Sequence, residues 1–391
     1  MVETERSFAA PAGPRWRTEP FRLFFPLGVV LGWIGIGHWL LYALGASDSY
    51  SCTFHGLVQT QAFMMAFAVG FLLTALPRRT RGAPASAAEL AFAGAALATI
   101  VVAATLESVR VQQGAYALLF LALARFALRR FAGRAAGRRP PAAFVLIPLA
   151  FLQGLAGAAT LVAGTVASVP AWATTLALLL IQQGVFLSLS VGIGSLVLPL
   201  MAGAPPPADL GSSPRERRRA LAYLGAGLAI VASLVLEAAG AVRAGPLLRA
   251  AVVAAGLGAG AGAWRPPGKP GLHRRLAWIA AWLMPAGLAA SALWPDYRVP
   301  ALHVLFIGGF ALLAFAVATH VILGHLDLDH LALGRPPAVA FLAVALALAL
   351  AGRLVADWST TYFEHLGAAA ACWLAGTAVW LAFVGPKLWR R

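Results

Sequence analysis

The sequence predicts an all-α fold, a polytopic membrane helix bundle of about 12 transmembrane helices with both termini on one side. Three observations predict it. Apolar residues make up 60% of the 391 positions, charged residues only 11%, and the mean hydropathy is +0.80, whereas a soluble domain carries roughly 25% charged residues. The apolar residues run in stretches of a length that crosses a hydrocarbon core, roughly 20 residues each. Arginine and lysine interrupt those stretches on every second connection, the pattern that records which side of a membrane a loop occupies.

In order, the stretches fall near 23–45, 54–76, 86–106, 111–131, 142–168, 171–200, 219–240, 246–264, 274–293, 300–323, 337–356 and 362–386. Residues 1–20 form a Pro-containing polar tail, and 21–391 form a single membrane domain. The longest basic-side connection, with Pro205, Pro206 and Pro207, divides that domain into halves 21–202 and 219–391. The first stretch is too long for a signal-peptide core and lacks a small-residue cleavage site, so it is expected to remain as a helix. The glycines at 256, 258, 260 and 262, or at 192 and 194, lie inside spans with no preceding strand, which fits close helix packing rather than a nucleotide loop.

The basic residues sort onto two sides. One side holds Arg6, Arg15, Arg17 and Arg22, then Arg78, Arg79 and Arg81, then Arg129, Arg130, Arg134, Arg138 and Arg139. It continues with Arg215, Arg217, Arg218 and Arg219, then Arg265, Lys269, Arg274 and Arg275, then Arg335, and finally Lys387, Arg390 and Arg391. That is 24 of 30; the opposite loops hold Arg110, Arg243, Arg249, Arg298 and Arg353, with Arg125 inside a span near its basic end. Loops rich in Lys and Arg face the cytoplasm, so both termini are expected inside. A formal charge of +16 otherwise suggests a nucleic-acid partner, but a nucleic-acid binder gathers charge on one face. Here it is dispersed over seven connections, so the bilayer is the partner and nucleic acid is excluded. Cys52 and Cys372 lie at different depths, which argues against a disulfide or a four-thiolate site.

Polar residues are costly in lipid, so function is sought among them. His38, His55, His303 and His365 fall on the first, second, tenth and twelfth stretches, all toward the less basic side, with His38 about 10 Å deep. Four imidazoles thus share one membrane level. Neutral imidazole is a ligand for haem iron and copper, its other nitrogen fixed by an acceptor. His55 and Gln59 are one turn apart on a face that continues through Ala62 and Ala66. On the basic side, His320, His325, Asp327, Asp329 and His330 form the one connection richer in acids than bases; His325 and Asp329 are one turn apart, a spacing that fits a divalent ion. His303 and His325, 22 residues apart or about 33 Å along a helix, cannot share a metal. His273, in a basic connection, is expected to be solvated.

Four segments resemble the NnrS family, bacterial twelve-helix membrane proteins that bind haem and copper and are linked to nitric oxide and nitrosative stress. They are Pro20, Phe21, Arg22, Phe24 and Phe25 at the start of the first stretch; Gly70 to Leu76 before Pro77; Gly192, Gly194 and Pro199; and His303, Gly308, Thr319, Leu323, Gly324 and His325. The family opens its second helix with Trp-His-x-His-Glu, where this chain reads Phe54, His55, Gly56, Leu57, Val58. Leu57 cannot ligate and Val58 cannot take a proton. His320 stands where the family has Arg.

The resemblance implies haem as cofactor, with copper the weaker expectation because of Leu57, and a place in the bacterial cytoplasmic (inner) membrane. It also implies nitric oxide as a small gas ligand, relief of nitrosative stress, and an electron donor that the sequence does not identify. The expected cofactor-binding residues are His55, His303, His38, Gln59 and His365, and the expected metal ligands His55, His303, His320 and His325. Two histidines on iron favour electron transfer, while one leaves a position open for nitric oxide, with Gln59 as hydrogen-bond donor. Glu107, Glu237 and Asp357 lie near helix ends, so no carboxylate relay for a proton pump is present. The alternative is a secondary transporter of a small solute or metal ion, built on two six-helix halves with Gln153, Gln182, Gln183, Ser188 and Ser190 at the midplane.

Overall fold

A computed structural model describes residues 14–133, 139–205, 207, 209, 210 and 213–389. Arg6, Arg134, Arg138, Pro206, Arg390, Arg391 and the tail before residue 14 lie outside them. Among the described residues the architecture is helical, with one isolated bridge between Pro141 and Asp209 and no strand. Lipid offers no hydrogen-bond partners, so a spanning segment must satisfy its own backbone, and a helix does so within one segment.

The apolar helices are α1 (Phe21–Ala43), α2 (Cys52–Thr80), α3 (Ala87–Thr105), α4 (Val109–Ala132), α5 (Ala142–Ala163) and α6 (Ala171–Ala202). The second six are α7 (Pro214–Ala238), α8 (Ala244–Gly260), α9 (Leu272–Leu293), α10 (Pro295–His325), α11 (Pro337–Ala356) and α12 (Tyr362–Leu388). Among the described residues eleven helices are long and apolar enough to cross a membrane, and α8, at the predicted stretch 246–264, is the shorter one. Its last turn opens into a π-helix over Gly256–Gly260 and stops, because glycine gives little helix propensity. Ser86 and Glu89, and Ser213 and Glu216, form reciprocal capping boxes that start α3 and α7.

Sequence neighbours pack on one another, α3 on α4, α4 on α5, α7 on α8, α8 on α9, and α12 lies against both α11 and α1. The last helix therefore lies beside the first, and Arg22 donates to the carbonyl oxygen of Leu388. Inside this arrangement sit α2, α6 and α10, whose central windows are 72, 67 and 61% buried against 28–56% for the other eight spans. The three run in the same direction, and each opens into a π-helical segment: Gln59–Met64, Leu180–Gly184 and Val304–Ala311. Each opening begins seven to nine residues after its helix starts, roughly 10–13 Å along the axis. A π-bulge places one extra residue in a turn and is frequent at functional sites.

The ends of the bundle follow the charge reading. At the basic end Arg130 makes two bonds to Glu89 (2.7 and 2.8 Å), Arg78 reaches Glu19 (3.1 Å), Arg79 pairs with Asp209, and Arg274 donates to Met201 O (2.7 Å). At the opposite end Arg110 donates to Thr165 (2.7 Å), Arg353 pairs with Asp357, and Glu237 takes Arg249 and Arg298 together. Each of these bonds joins residues assigned to the same side.

His273 departs from expectation. It is fully buried in the first turn of α9, not solvated, and its Nε2 lies 3.3 Å from His320 Nδ1 on α10. The helix begins at Leu272, two residues before the predicted stretch, and this turns position 273 inward.

Candidate paired-imidazole site

Helix α1 prepares the site. Gly35 and Gly32 bring its backbone against α2 and α12: a Cβ on Gly35 would lie 2.8 Å from Val58 Cγ1 and 2.9 Å from Gln59 Nε2 on α2, and one on Gly32 would lie 3.1 Å from Phe63 Cδ2 on α2 and 2.6 Å from Trp373 Cη2 on α12. At that approach the α2 side chains reach α1 carbonyls. His55 Nδ1 lies 2.9 Å from Gly35 O, and Gln59 Nε2 donates to Gly32 O at 2.9 Å. On α10, His303 Nδ1 lies 2.8 Å from Val299 O, one turn back.

A carbonyl oxygen can only accept, so both Nδ1 atoms carry the proton and both Nε2 atoms keep a free lone pair. The two rings are 6.4 Å apart between centres with planes 11° from parallel. A carbonyl that fixes the tautomer and leaves Nε2 as donor is the usual support of a metal-bound histidine. This arrangement has the chemistry of a two-imidazole donor set.

Both rings line one cavity of about 270 Å³ between α1, α2, α6, α10, α11 and α12. The π segments contribute heavily: Gln59, Thr60, Phe63 and Met64 from α2, Gln182 from α6, and Phe306, Ile307, Phe310 and Ala311 from α10. Trp39 and Trp373 add aromatic wall, and exposed Cys52 sits at the outer rim. Gln182 Nε2 lies 2.9 Å from where a Cβ on Gly56 would stand, so glycine there admits the amide.

The sequence reading missed three of these residues. Arg353, 7% exposed, lines the cavity while paired with Asp357, and its guanidinium stands 5.9 Å from the ring centre of Tyr362, another wall residue. Gln182 had been read only as a midplane amide. No periodicity marks them, because each belongs to a helix that is apolar on every side; for Arg353 the signal was a charge just inside a helix end facing the histidines' level.

The other expected residues are placed as follows. His38 stands behind His55, its ring centre 6.1 Å from that of His55, 4.9 Å from Trp39 and 5.5 Å from Phe54, without lining the cavity. His365 is half-buried in the first turn of α12, also outside the lining. At the basic end, His320 meets His273, with ring centres 5.4 Å apart, while His325 places Nδ1 2.8 Å from Val321 O and its ring 5.0 Å from Phe21. Among the described residues, no three His, Cys, Asp or Glu side chains gather as a metal-binding group. Leu57 and Val58 are buried and absent from the cavity lining. Positions 55 and 57 lie on different faces of α2, so the loss of the family's second histidine leaves the His55–His303 pair intact.

Fold and site together define a multi-pass helical membrane protein with a paired-imidazole cavity near one end. A model of the NnrS family, described as NnrS protein, matches residues 15–391, nearly the whole chain. The chain belongs to the NnrS family. Comparison with curated proteins found no match.

Proposed function

We propose that this protein holds a metal centre, haem in the first instance, between His55 and His303, and there binds nitric oxide, relieving nitrosative stress. The observation that carries the reading is the pair of unblocked Nε2 atoms, each with its Nδ1–H held by a backbone carbonyl. Among the described residues no carboxylate or thiolate joins the two imidazoles as a third ligand, so the donor set would suit haem iron or copper(I) better than zinc or a hard divalent ion. The family resemblance favours haem.

Held there by one of the two imidazoles, with the other beside it, haem would supply an iron position for a diatomic gas. The chain's own residues do the rest. His55 and His303 hold and orient; Gln59 keeps one amide N–H free after its bond to Gly32, and Gln182 presents an amide from the facing helix. Arg353 gives the cavity a buried cation for an anionic group, such as a haem propionate. At about 270 Å³ the cavity lies just under the usual range for ligand pockets, roughly 300–1,000 Å³. A metal ion with a diatomic ligand fits as it stands, and a haem requires the aromatic walls to give. We place the basic end in the cytoplasm of a bacterial inner membrane, by the Lys and Arg bias; the site then lies under the outer surface, where an apolar gas arrives through the bilayer.

The test is an optical spectrum of the full-length protein purified in detergent. A Soret band that shifts with nitric oxide, and is lost in His55→Ala or His303→Ala, is the expected result. A copper-loaded protein without that band keeps the site and changes the cofactor. A colourless, metal-free protein whose uptake of a labelled solute into vesicles depends on Gln182 overturns the reading in favour of a carrier.

A further inference from the structure

Among the described residues five arginines are buried: Arg22, Arg130, Arg249, Arg274 and Arg353. Four of them meet a carboxylate, Arg22 that of Glu19, Arg130 that of Glu89, Arg249 that of Glu237 and Arg353 that of Asp357. Arg274, only 8% exposed, meets none. It donates Nη1 to the carbonyl oxygen of Met201 at 2.7 Å, its buried Nε has no partner, and exposed Asp329 acts on it from beyond 4.0 Å. A neutral carbonyl satisfies one of the guanidinium N–H groups and leaves the charge unbalanced. A buried charge without a counter-charge is costly, so such groups are normally paired.

Arg274 lines a recess of about 260 Å³ at the basic end, between the ends of α6 and α8 and the start of α9. The recess exists because α8 is short. Ala244–Gly260 rises roughly 25 Å, less than the ~30 Å of a hydrocarbon core. After the π segment Gly256–Gly260 the chain runs on without helix until Leu272. Non-helical backbone at membrane depth is tolerated where it is buried in protein or lines a wet cavity. Both hold here: Ala263 O accepts the indole N–H of Trp278 at 2.7 Å and of Trp282 at 3.0 Å, while Gly262 and Arg265 stand exposed at the rim. The guanidinium carbon of Arg265 lies 3.9 Å from the ring centre of Trp264. Two arginines thus line the recess with no Asp or Glu among its described walls, and the remainder is largely apolar, with Leu198, Pro199 and Ala259.

We propose that this recess binds the phosphate group of an anionic phospholipid from the leaflet on the basic side. Arg274 holds the phosphate from within and Arg265 from the rim, since a guanidinium fork matches phosphate oxygens. The apolar wall and the open rim receive the start of the lipid's chains. Basic pockets between membrane helices on the cytoplasmic side are of the kind that take such headgroups. The site needs no metal and stands apart from the imidazole cavity.

The test is native mass spectrometry of the full-length protein, titrated with phosphatidylglycerol, with phosphatidylcholine and, separately, with inorganic phosphate. Phosphatidylglycerol should bind at least tenfold more tightly than phosphatidylcholine. Arg274→Gln, which keeps an N–H for Met201 O, should weaken it roughly tenfold or more, and Arg265→Gln, at an exposed position, roughly fivefold. Arg275→Gln should leave it unchanged, because Arg275 is exposed beside the recess without lining it. Equal losses from Arg265→Gln and Arg275→Gln would show only a general attraction to the basic end and overturn the proposal. Inorganic phosphate bound at these arginines, with no discrimination between the two lipids, overturns the lipid assignment in favour of a soluble oxyanion.

Discussion

The two histidine pairs on α10 differ in what their nitrogens do. At the sparsely charged end, His55 and His303 each spend Nδ1 on a backbone carbonyl and turn the rest of the ring into a cavity. At the basic end, His273 and His320 spend nitrogens on each other at 3.3 Å, in a helix junction that lines none of the cavities described. Equal residue types at similar spacing therefore line a cavity in one place and join α9 to α10 in the other. The difference lies in the partners and the surroundings: at one end both Nδ1–H groups go to backbone carbonyls and both rings line a cavity, while at the other one ring donates to its neighbour and neither lines a cavity.

The largest effect that would sharpen this contrast is on metal content. Replacing His55 and His303 together by alanine should remove the bound metal, while His273→Ala with His320→Ala should leave it. Next is Gly35→Val. A Cβ there already meets Val58 Cγ1 at 2.8 Å, so a branched side chain must push α1 off α2 and break the bond that orients His55. Loss of such a supporting contact lowers metal affinity roughly 10–100-fold, to be read by competition with a chelator; an unchanged affinity would show that the Gly35 carbonyl does not set the ligand.

A smaller change is expected from His320→Ala alone. It leaves His273 Nε2 buried without a partner, which costs about 1–3 kcal/mol, seen as a lower unfolding midpoint in detergent with no change in the visible spectrum. A spectral change would contradict the separation of roles. Smallest is Leu57→His. Because position 57 does not face the cavity, restoring the family's histidine should leave the optical spectrum of the metal-loaded protein as it was, and a new ligand signature would break the account of the two faces of α2.

The membrane fold was legible because its signals are long and repeated: span length, total apolarity and the alternation of Arg-rich loops each extend over the whole chain. The level shared by His55 and His303 was legible for the same reason, since topology alone sets which helix ends lie together. Topology gives depth but not rotation. In spans that are apolar all round, nothing in the period says which face turns inward, so His38, His365, His55 and His303 looked alike, and Arg353 and Gln182 went unnoticed as wall residues. The π segments that shape both cavities carry no sequence signature, and His273 was misread because a helix start moved by two residues. His320 was grouped with His325 and Asp329, which are one turn apart, but the contact it makes is with His273, a residue of another helix.

The most direct test of the central claim is metal stoichiometry, measured by elemental analysis on full-length protein purified in parallel as wild type, as the His55→Ala, His303→Ala double variant and as the His273→Ala, His320→Ala double variant. The account predicts equal metal per chain in the wild type and the second variant, and none in the first. Metal retained without His55 and His303, or lost with His273 and His320, would contradict it.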